Sequence, residues 1–374
     1  MIPVNEPYLS NREKELLCEC IDTGWVSSEG PFVKKFENDF AKYIGHKYGI
    51  AVCNGTAALE VGLHAIGVGE GDEVIMPSFT IISCALAVLR LGAKPVLVDI
   101  VPDIWNMDVS QIESKITNKT KAIMPVHIYG HSVDMDPLME IAKKYNLKVI
   151  EDASQAHGTE YKGQRLGSIG EVSTFSFYAN KIISCGEGGM ILTSSEEMME
   201  KAKKYRNLYF EPEKRFLHQE LGYNFRMTNL QAALGVAQME KIDYFVETKR
   251  KFGKYYRQKL QDVAGIRFQE EKSWCKSVYW MYSIEIDKDI NLEAPELMEK
   301  LREKGIGSRP FFLGLHEQPA FHKRGLFVGE SYPHTEFSAR KGLYLPSGLT
   351  LTEGQVDTVC NTLEQIMMKY KSPS

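Results

Sequence analysis

Three stretches of the 374-residue chain carry residues whose types and positions suit chemistry. In the first, "VCNGTAALEVGLHAIG", Asn54, Gly55, Thr56 and Ala57 stand just before an apolar, helix-periodic run. Small residues at a helix start allow backbone N–H groups to point at an anion. The same residues also suit a simple N-cap, in which Asn54 or Thr56 accepts from the first turn. This stretch therefore predicts either an anion site or an ordinary cap.

The second stretch, "KVIEDASQAHG", places Asp152 at the end of an apolar strand. A carboxylate that stays charged in a buried place needs a cationic partner, and a pyridinium nitrogen is one such partner. Glu151 precedes it and points to the opposite face of the strand, so only one of the two acids can serve. The alternative for Asp152 is a strand-end acid that caps a turn.

The third stretch, "VSTFSFYANKIISCGEGGM", places Lys181 a few residues after another apolar strand. A partly desolvated lysine at a sheet edge can form a Schiff base with an aldehyde, and Ser176 can donate to a phosphate. By itself Lys181 is better explained as a solvated surface lysine, and "GEGGM" suits a turn that needs positive φ. The order of the three stretches matches the phosphate, pyridine nitrogen and aldehyde of pyridoxal phosphate.

These residues require a sheet that brings strand ends together. From about residue 51 to 194, short Val- and Ile-rich runs alternate with amphipathic stretches, which predicts an α/β fold with a buried, mostly parallel sheet. Active sites in such sheets lie outside the carboxyl ends of the strands. After about residue 230 a long helix, an alternating strand and a charged helix predict a smaller α+β domain. We therefore expect a large cofactor-binding domain over residues 1–245 and a small C-terminal domain over residues 246–374.

Taken together, the motifs resemble the DegT/DnrJ/EryC1/StrS group of sugar aminotransferases, which have the aspartate-aminotransferase-like type I fold. The resemblance covers nearly the whole chain. It is carried by "GWVSSEGPFVKKFE", "NGTAALE", "GDEVIMPSFT", "TKAIMPVHIYGH", "VIEDASQAHG", "STFSFYANK", "GEGGM", "GYNFRMTNLQAALG" and "RPFF…LHEQPAF". It implies a homodimer with shared active sites that binds pyridoxal 5'-phosphate and takes its amine from glutamate. Among members of the group, the chain looks most like those that aminate a GDP-linked 4-keto-6-deoxy sugar.

The resemblance also implies a role for each matching position. Lys181 is the Schiff-base lysine, and Asp152 pairs with the pyridinium nitrogen. The remaining implied contacts are Gly55, Thr56, Ala57 and Ser176 at the phosphate, Gln155 at the ring, Asn224 reaching the phosphate of the neighbouring subunit, and His316 near the sugar. Trp25 is a further candidate for the sugar, although it also suits the filling of a gap in the core.

Two positions depart from the pattern of the group. Ile81 stands where relatives carry a Trp or Tyr stacked on the cofactor ring, and neutral Gln155 stands where the sugar 4-aminating members have an acid. Three alternatives therefore stay open. They are a UDP- or dTDP-linked keto or aldehyde sugar, an acidic long-chain sugar, and a non-catalytic regulatory protein of the same fold.

Composition narrows the class of protein. Lys plus Arg number 45 and Asp plus Glu 49, so the net charge of −4 argues against a nucleic-acid surface. No apolar run reaches the roughly 18–20 residues of a membrane span, and the first residues do not form a signal-peptide pattern. Seven scattered cysteines do not make a zinc motif, and His127 and His131 lack acidic company, so we expect no metal. A cytoplasmic enzyme is the expectation.

Overall fold

The computed structural model describes residues 1–211, 214 and 216–370. The helices are α1 (Asn11–Thr23), α2 (Pro31–Ile44), α3 (Gly55–Ala65), α4 (Ile82–Arg90), α5 (Met135–Tyr145), α6 (Glu196–Arg206), α7 (Asn229–Met239), α8 (Ile242–Leu260), α9 (Ala294–Glu303), α10 (Pro319–His322), α11 (Pro333–Lys341) and α12 (Glu353–Met367). Short 3₁₀ helices cover Val109–Gln111, Glu113–Lys115, Ile128–Gly130, Leu315–Glu317 and Met368–Tyr370.

The strands are β1 (Tyr48–Val52), β2 (Glu73–Pro77), β3 (Lys94–Val98), β4 (Thr120–Ile123), β5 (Lys148–Asp152), β6 (Glu160–Tyr161), β7 (Gln164–Arg165), β8 (Val172–Ser176), β9 (Gly189–Thr193), β10 (Ile266–Phe268), β11 (Cys275–Lys276), β12 (Tyr282–Ile286), β13 (Arg309–Pro310) and β14 (Gly342–Leu345). Seven of them form the main sheet in the order β1-β9-β8-β5-β4-β2-β3. The run from β3 to β8 is parallel, and β9 is antiparallel to both of its neighbours. The mostly parallel α/β sheet predicted from the sequence is therefore confirmed.

Helices cover the sheet because the strands are apolar on both faces; β2 and β9 are buried along their whole lengths. α3 lies close against the sheet. A Cβ on residue 62 would stand 2.9 Å from Cδ1 of Ile150, so glycine lets the helix lie this close without displacing strand side chains. The close packing fixes the start of α3 beside the carboxyl ends of β5 and β8.

A second sheet, in the order β10-β12-β14-β13, is antiparallel and packs with α8, α9 and α12 around a core of its own. The long helix α8 belongs to both cores, since Phe245 and Val246 lie in the first and Tyr256 and Leu260 in the second. The smaller α+β part is thus present. The expected division at 245/246 falls inside a helix shared by both cores, and it stays a prediction.

Residues 2–5 connect the two parts of the molecule. Ile2 donates its N–H to Gly305 O at 2.7 Å and accepts from Gly307 N at 2.8 Å. Val4 O accepts from Ser347 N at 2.8 Å, and Asn5 Nδ2 donates to Asn180 O at 3.1 Å. This segment therefore reaches from the C-terminal part to the residue before Lys181.

In the described part of the chain, every helix is too short or too polar to cross a membrane.

Candidate active site

A cavity of about 500 Å³ opens where the start of α3 meets the carboxyl ends of β5 and β8. This is the edge at which parallel sheets bind their ligands. Its walls are Asn54, Gly55, Thr56, Leu59, Ile81, Ser83, Asp152, Ser154, Gln155, Ser176, Tyr178, Asn180, Lys181, Glu187, Trp280, Phe312 and Tyr344. The cavity therefore gathers Gly55, Thr56, Asp152, Gln155, Ser176 and Lys181, six of the residues singled out from the sequence.

One end of the cavity is rich in hydrogen-bond donors suited to an anion. It contains the first turn of α3, whose amides have no partners within the helix, and the hydroxyls of Thr56, Ser83 and Ser176. Thr56 Oγ1 and Ser83 Oγ are hydrogen-bonded at 2.9 Å. A Cβ on residue 55 would lie 2.7 Å from Cβ of Ser176, so glycine lets the helix start approach that hydroxyl. Donors and helix dipole together favour a phosphate here.

Ala57 departs from this arrangement. Its side chain is buried, it does not line the cavity, and its backbone N–H donates to Oδ1 of Asn54 at 2.9 Å. In this structure the amide of Ala57 therefore serves the N-cap, which the sequence left as one of two alternatives. The amides of Gly55 and Thr56, which line the cavity at the start of the same turn, remain the candidates for phosphate contact.

Asp152 ends β5 at the floor of the cavity and is 3% exposed. Its Oδ1 accepts from Ser154 N at 3.0 Å, and its Oδ2 accepts from the Cys84 thiol at 3.2 Å. Among the described residues no cation lies within 4 Å of this carboxylate in an ion pair. A buried carboxylate held only by neutral donors is suited to a cationic partner supplied by a ligand.

Lys181 follows β8 and projects into the same cavity. Burial lowers the pKa of its amine to about 8, although the charges of Asp152 and Cys84 act in the opposite direction. Its Nζ lies 3.9 Å from the centre of the Trp280 ring. An amine with this pKa is neutral in a substantial fraction of molecules near neutral pH, as a nucleophile or proton carrier requires.

Gln155 and Ile81, the two residues that depart from the pattern of the group, both line the cavity. Gln155 is 4% exposed, and its Oε1 accepts from Tyr129 N at 2.8 Å. Ile81 stands at the N-cap of α4 and is 43% exposed at the cavity. An aliphatic side chain thus lies where relatives are expected to stack an aromatic one.

The walls fit pyridoxal phosphate in chemistry as well as in size. Anion donors, a buried acid and a lysine amine of lowered pKa are all present around one cavity. In addition, Asn180 lines this space, and its buried Oδ1 has no hydrogen-bond partner among the described atoms. Such an orphaned polar atom is costly unless a ligand or water satisfies it. The Schiff-base role of Lys181 and the ring-nitrogen role of Asp152 stay predictions, and the geometry is consistent with both.

Besides Ala57, three predicted residues do not line this cavity. Trp25 is 49% exposed, and Asn224 is exposed beside Asn207, to which it is bridged. His316 is 3% exposed, with Nδ1 at 2.7 Å from Ser78 Oγ and Nε2 at 3.1 Å from Glu336 Oε1. Both of its ring nitrogens are engaged away from the cavity, because the ring is held between the end of β2 and α11. Its contact with the sugar stays a prediction.

The histidines considered as metal ligands are buried in the fold. His127 Nε2 lies 3.1 Å from Glu151 Oε2, whose carboxylate also accepts from backbone amides of Gly167, Ile169 and Gly170. Glu151 therefore holds a loop on the opposite side of β5 from Asp152. No group of three or more His, Cys, Asp or Glu suited to a metal is found in the described ranges.

Several wall residues were not singled out from the sequence as site residues. Tyr178 and Asn180 lie inside the quoted motif "STFSFYANK", and Phe312 lies inside "RPFF". Trp280 and Tyr344 come from the C-terminal part, where the sequence predicts a strand around Trp280 and makes no prediction at Tyr344. A motif match could have pointed to the first three, whereas Trp280 and Tyr344 depend on the long-range packing of β12 and β14.

Comparison with known proteins agrees with this geometry. The model of the DegT/DnrJ/EryC1/StrS aminotransferase family matches residues 7–364. GDP-perosamine synthase from Caulobacter vibrioides is 40% identical over 368 residues, which covers 98% of both chains. A pleiotropic regulatory protein from Geobacillus stearothermophilus is 38% identical over 377 residues, or 99% of both chains.

The fold agrees as well. The X-ray structure of an aminotransferase from Psychrobacter cryohalolentis superimposes with a TM-score of 0.92 at 28% identity, covering 98% of each chain. Aminotransferases of this family depend on pyridoxal phosphate, so the cofactor expected from the sequence is confirmed. The chain therefore belongs to the DegT/DnrJ/EryC1/StrS aminotransferase family and is a pyridoxal-phosphate-dependent enzyme of the type I fold.

Proposed function

We propose that this enzyme transfers an amino group from glutamate to a 4-keto-6-deoxy sugar linked to GDP. The observation that carries the proposal is the 40% identity to a GDP-perosamine synthase along essentially the whole of both chains. A match of that extent includes every wall of the cavity, from Asn54 to Tyr344.

Different residues around the cavity have different roles in the reaction. The start of α3, with the hydroxyls of Thr56, Ser83 and Ser176, binds the cofactor phosphate at one end of the cavity. Asp152 holds a proton on the ring nitrogen, because its buried carboxylate is stabilised by a cation facing it. The bound cofactor supplies an electron sink for the carbon that loses its proton.

Lys181 is then the group that moves the proton. Its Nζ faces the cavity, and its lowered pKa near 8 allows the amine both to accept and to release a proton near neutral pH. The aromatic side chains of Tyr178, Trp280, Phe312 and Tyr344 surround it and exclude water from the reacting atoms.

A second copy of the chain is part of this proposal. Ile81 and Tyr178 line the cavity and are 43% and 48% exposed, and Trp25, outside the cavity, is 49% exposed. We propose a homodimer in which these side chains are covered and Asn224 serves the cavity of the partner. The cytoplasmic location expected from the sequence also stays a prediction.

The substrate is tested by an amination assay with GDP-, UDP- and dTDP-linked 4-keto-6-deoxy sugars, each with glutamate as donor. We expect kcat/KM to be highest for the GDP-linked sugar and activity to be absent in Lys181→Met. Amination restricted to a UDP- or dTDP-linked sugar would replace the nucleotide assignment and leave the aminotransferase reaction intact.

A regulatory protein of the same fold is the second candidate, since one relative carries that description. Cys84 and Asp152 are hydrogen-bonded beneath a cavity that also contains Lys181, an arrangement that a purely regulatory protein does not need. Glutamate-dependent bleaching of the bound cofactor's absorbance separates the two. An enzyme shows the change with every sugar absent, and a protein that only binds the cofactor does not.

The dimer is tested by mixing two inactive variants, Lys181→Ala and Asn224→Ala. A heterodimer carries one site with both lesions and one with neither, so mixing restores part of the activity if Asn224 acts across the interface. No recovery, with subunit exchange shown separately by mass spectrometry, would place Asn224 in the site of its own chain or outside any site.

A further inference from the structure

The amine of Lys181 does not point into open solvent but rests on an aromatic ring. Its Nζ lies 3.9 Å from the centroid of the Trp280 ring, and both side chains line the cavity. A lysine ammonium within about 6 Å of the face of an indole is attracted by the ring quadrupole, and Trp is the strongest partner for it.

Trp280 is fixed from several sides. Its Nε1–H donates to Asn180 O at 2.8 Å, the carbonyl directly before Lys181. The same carbonyl accepts from Asn5 Nδ2 at 3.1 Å. The ring is 4% exposed and lies 6.4 Å from that of Tyr129 at an interplanar angle of 22°. The indole therefore cannot turn away from the lysine without breaking a hydrogen bond to its neighbour in sequence.

The backbone that carries Trp280 is held just as closely. Gly130 O accepts from Val278 N at 3.2 Å and from Ser277 Oγ at 2.9 Å. Gly130 has φ +97°, and a Cβ there would meet Trp280 N at 2.7 Å. Only glycine permits this approach, which brings a segment of the C-terminal part against the cavity. The position of the ring is thus set by three separate contacts.

The reaction of the family suggests a role for the contact between Lys181 and Trp280. Between its two half-reactions an aminotransferase leaves its lysine without a covalent link to the cofactor, because the amino group has moved to the cofactor. A free lysine side chain has several rotatable bonds, and it contributes to proton transfer only if its amine stays near the reacting carbon.

We propose that Trp280 is a positioning residue for Lys181, whose ring face holds the free ammonium inside the cavity between the two half-reactions. The inference rests on the aminotransferase reaction and not on which sugar is the substrate. In this arrangement the ring opposes the effect of burial, because it stabilises the charged form of the amine that burial destabilises.

The alternative is that Trp280 is only a wall of the cavity. A wall keeps water out, so replacing it by a smaller side chain would admit water and raise the pKa of the free amine. A cation-binding ring has the opposite consequence, since losing it lowers that pKa. The direction of the change therefore distinguishes the two roles.

The test uses the full-length protein loaded with pyridoxamine 5'-phosphate, in which Lys181 carries no link to the cofactor. Trace acylation with acetic anhydride across pH 6 to 11, with the Lys181 peptide quantified by mass spectrometry, gives the pKa of its amine. The variants are Trp280→Phe and Trp280→Leu, which both shrink the side chain, while only Phe keeps a ring face. Lys254, exposed on α8, provides the reference reactivity in the same molecules.

We expect the pKa of Lys181 in Trp280→Leu to lie about half a unit to one unit below that of the wild type, with Trp280→Phe in between. We also expect Trp280→Phe to recover more of kcat than Trp280→Leu, with KM for glutamate changed less than kcat. Equal pKa values in the two variants, or a higher one in Trp280→Leu, would overturn the proposal.

If Trp280→Leu does not fold, the pKa of Lys181 in Trp280→Phe, compared with that in the wild type, still distinguishes the two roles. The weaker quadrupole of Phe should lower the pKa of Lys181 by a few tenths of a unit, whereas a simple wall would raise it or leave it unchanged. If the wild-type enzyme aminates none of the nucleotide sugars, the proposed substrate is wrong. The pKa comparison uses no sugar and would be unaffected.

Discussion

Lys181, which is half-buried, and Lys249, which is buried, lie in different surroundings. Lys181 lies at the cavity of the large sheet, and Lys249 lies on α8, 4% exposed, with its amine donating to Ser347 O. Burial lowers the pKa of both amines, to about 8 for Lys181 and about 7 for Lys249. By pKa alone, Lys249 would be the better candidate for a functional residue.

The surroundings reverse that order. Lys181 faces the charge of Asp152, an aromatic ring and a space large enough for a ligand. Burial is the whole cause of the shift at Lys249, which has a carbonyl for a partner and does not line the cavity of Lys181. A shifted pKa indicates a functional site only where an open space and a second charged group accompany it.

The largest difference between the two regions should appear in turnover. We expect Lys181→Met to lower kcat by more than about 10⁴-fold, because it removes both the covalent attachment and the proton transfer, which alone contributes about 10²–10⁴. Lys249→Met should keep kcat within about threefold of the wild type. Steady-state kinetics of both variants, with borohydride reduction and peptide mapping of the bound cofactor, check the pair. Substantial turnover in Lys181→Met would remove the basis of the comparison.

Asp152 is the charge that makes the Lys181 region functional. Asp152→Asn keeps the shape but removes the charge, so we expect kcat to fall by about 10²–10³-fold, as for other preorganised electrostatic groups. The visible absorbance of the bound cofactor should change as its ring nitrogen loses its proton. Glu151→Gln is the matched control. The Glu151 carboxylate accepts from three backbone amides, so this variant should affect stability more than the spectrum.

We expect Lys249 to change how the free energy of unfolding depends on pH. Its pKa is about 7 in the folded chain and about 10.4 in an unfolded one, so between these values the unfolded chain binds more protons. The free energy of unfolding attributable to Lys249 therefore rises with pH from about 7 to 10, by up to about 1.4 kcal/mol per unit. Below pH 7 the burial penalty is present in full.

The matched measurement compares thermal unfolding of the wild type and Lys249→Met from pH 6.5 to 9.5. We expect the wild type to gain stability relative to the variant as pH rises, while groups common to both cancel. Parallel curves would mean that Lys249 binds its proton equally in the folded and unfolded chains, so that burial does not lower its pKa.

The smallest effect concerns the support of Asp152. The Cys84 thiol donates to Oδ2 of Asp152, and burial keeps the thiol pKa well above its usual value, so it remains a donor. We expect Cys84→Ala to lower kcat roughly two- to tenfold, and Cys84→Ser to restore most of the loss because a hydroxyl also donates. Equal losses in the two variants would point to packing of the sulfur instead of its hydrogen bond.

Much of the large domain was predictable because its signals are local. The Val- and Ile-rich runs predicted the buried sheet, and strand-end positions brought Asp152, Ser176 and Lys181 to one edge. The competition at Asn54 was also foreseen, although only the structure shows that this side chain takes the amide of Ala57. Local patterns thus indicated the cofactor end of the site.

The remaining walls depend on contacts between residues distant in sequence. Trp280 reaches the cavity only because Gly130 lets its backbone approach, and a single sequence does not reveal that pairing. His316 does lie in a matching motif. The motif does not show, however, that Ser78 and Glu336 engage both of its ring nitrogens. Lys249 did leave a signal, because it falls on the buried stripe of α8 between Phe245 and Gly253.

The tie formed by residues 2–5 has a consequence for the order of folding. Ile2 pairs with Ile306, and Val4 binds Ser347, so the segment completes structure that is translated some 300 residues later. At about 5–20 residues per second, that delay is roughly 15–60 s. Until residues 305–347 have been synthesised, the backbone groups of Ile2 and Val4 lack these partners. The segment that brings Asn5 to the carbonyl of Asn180 is therefore among the first to be made and among the last to be fixed in place.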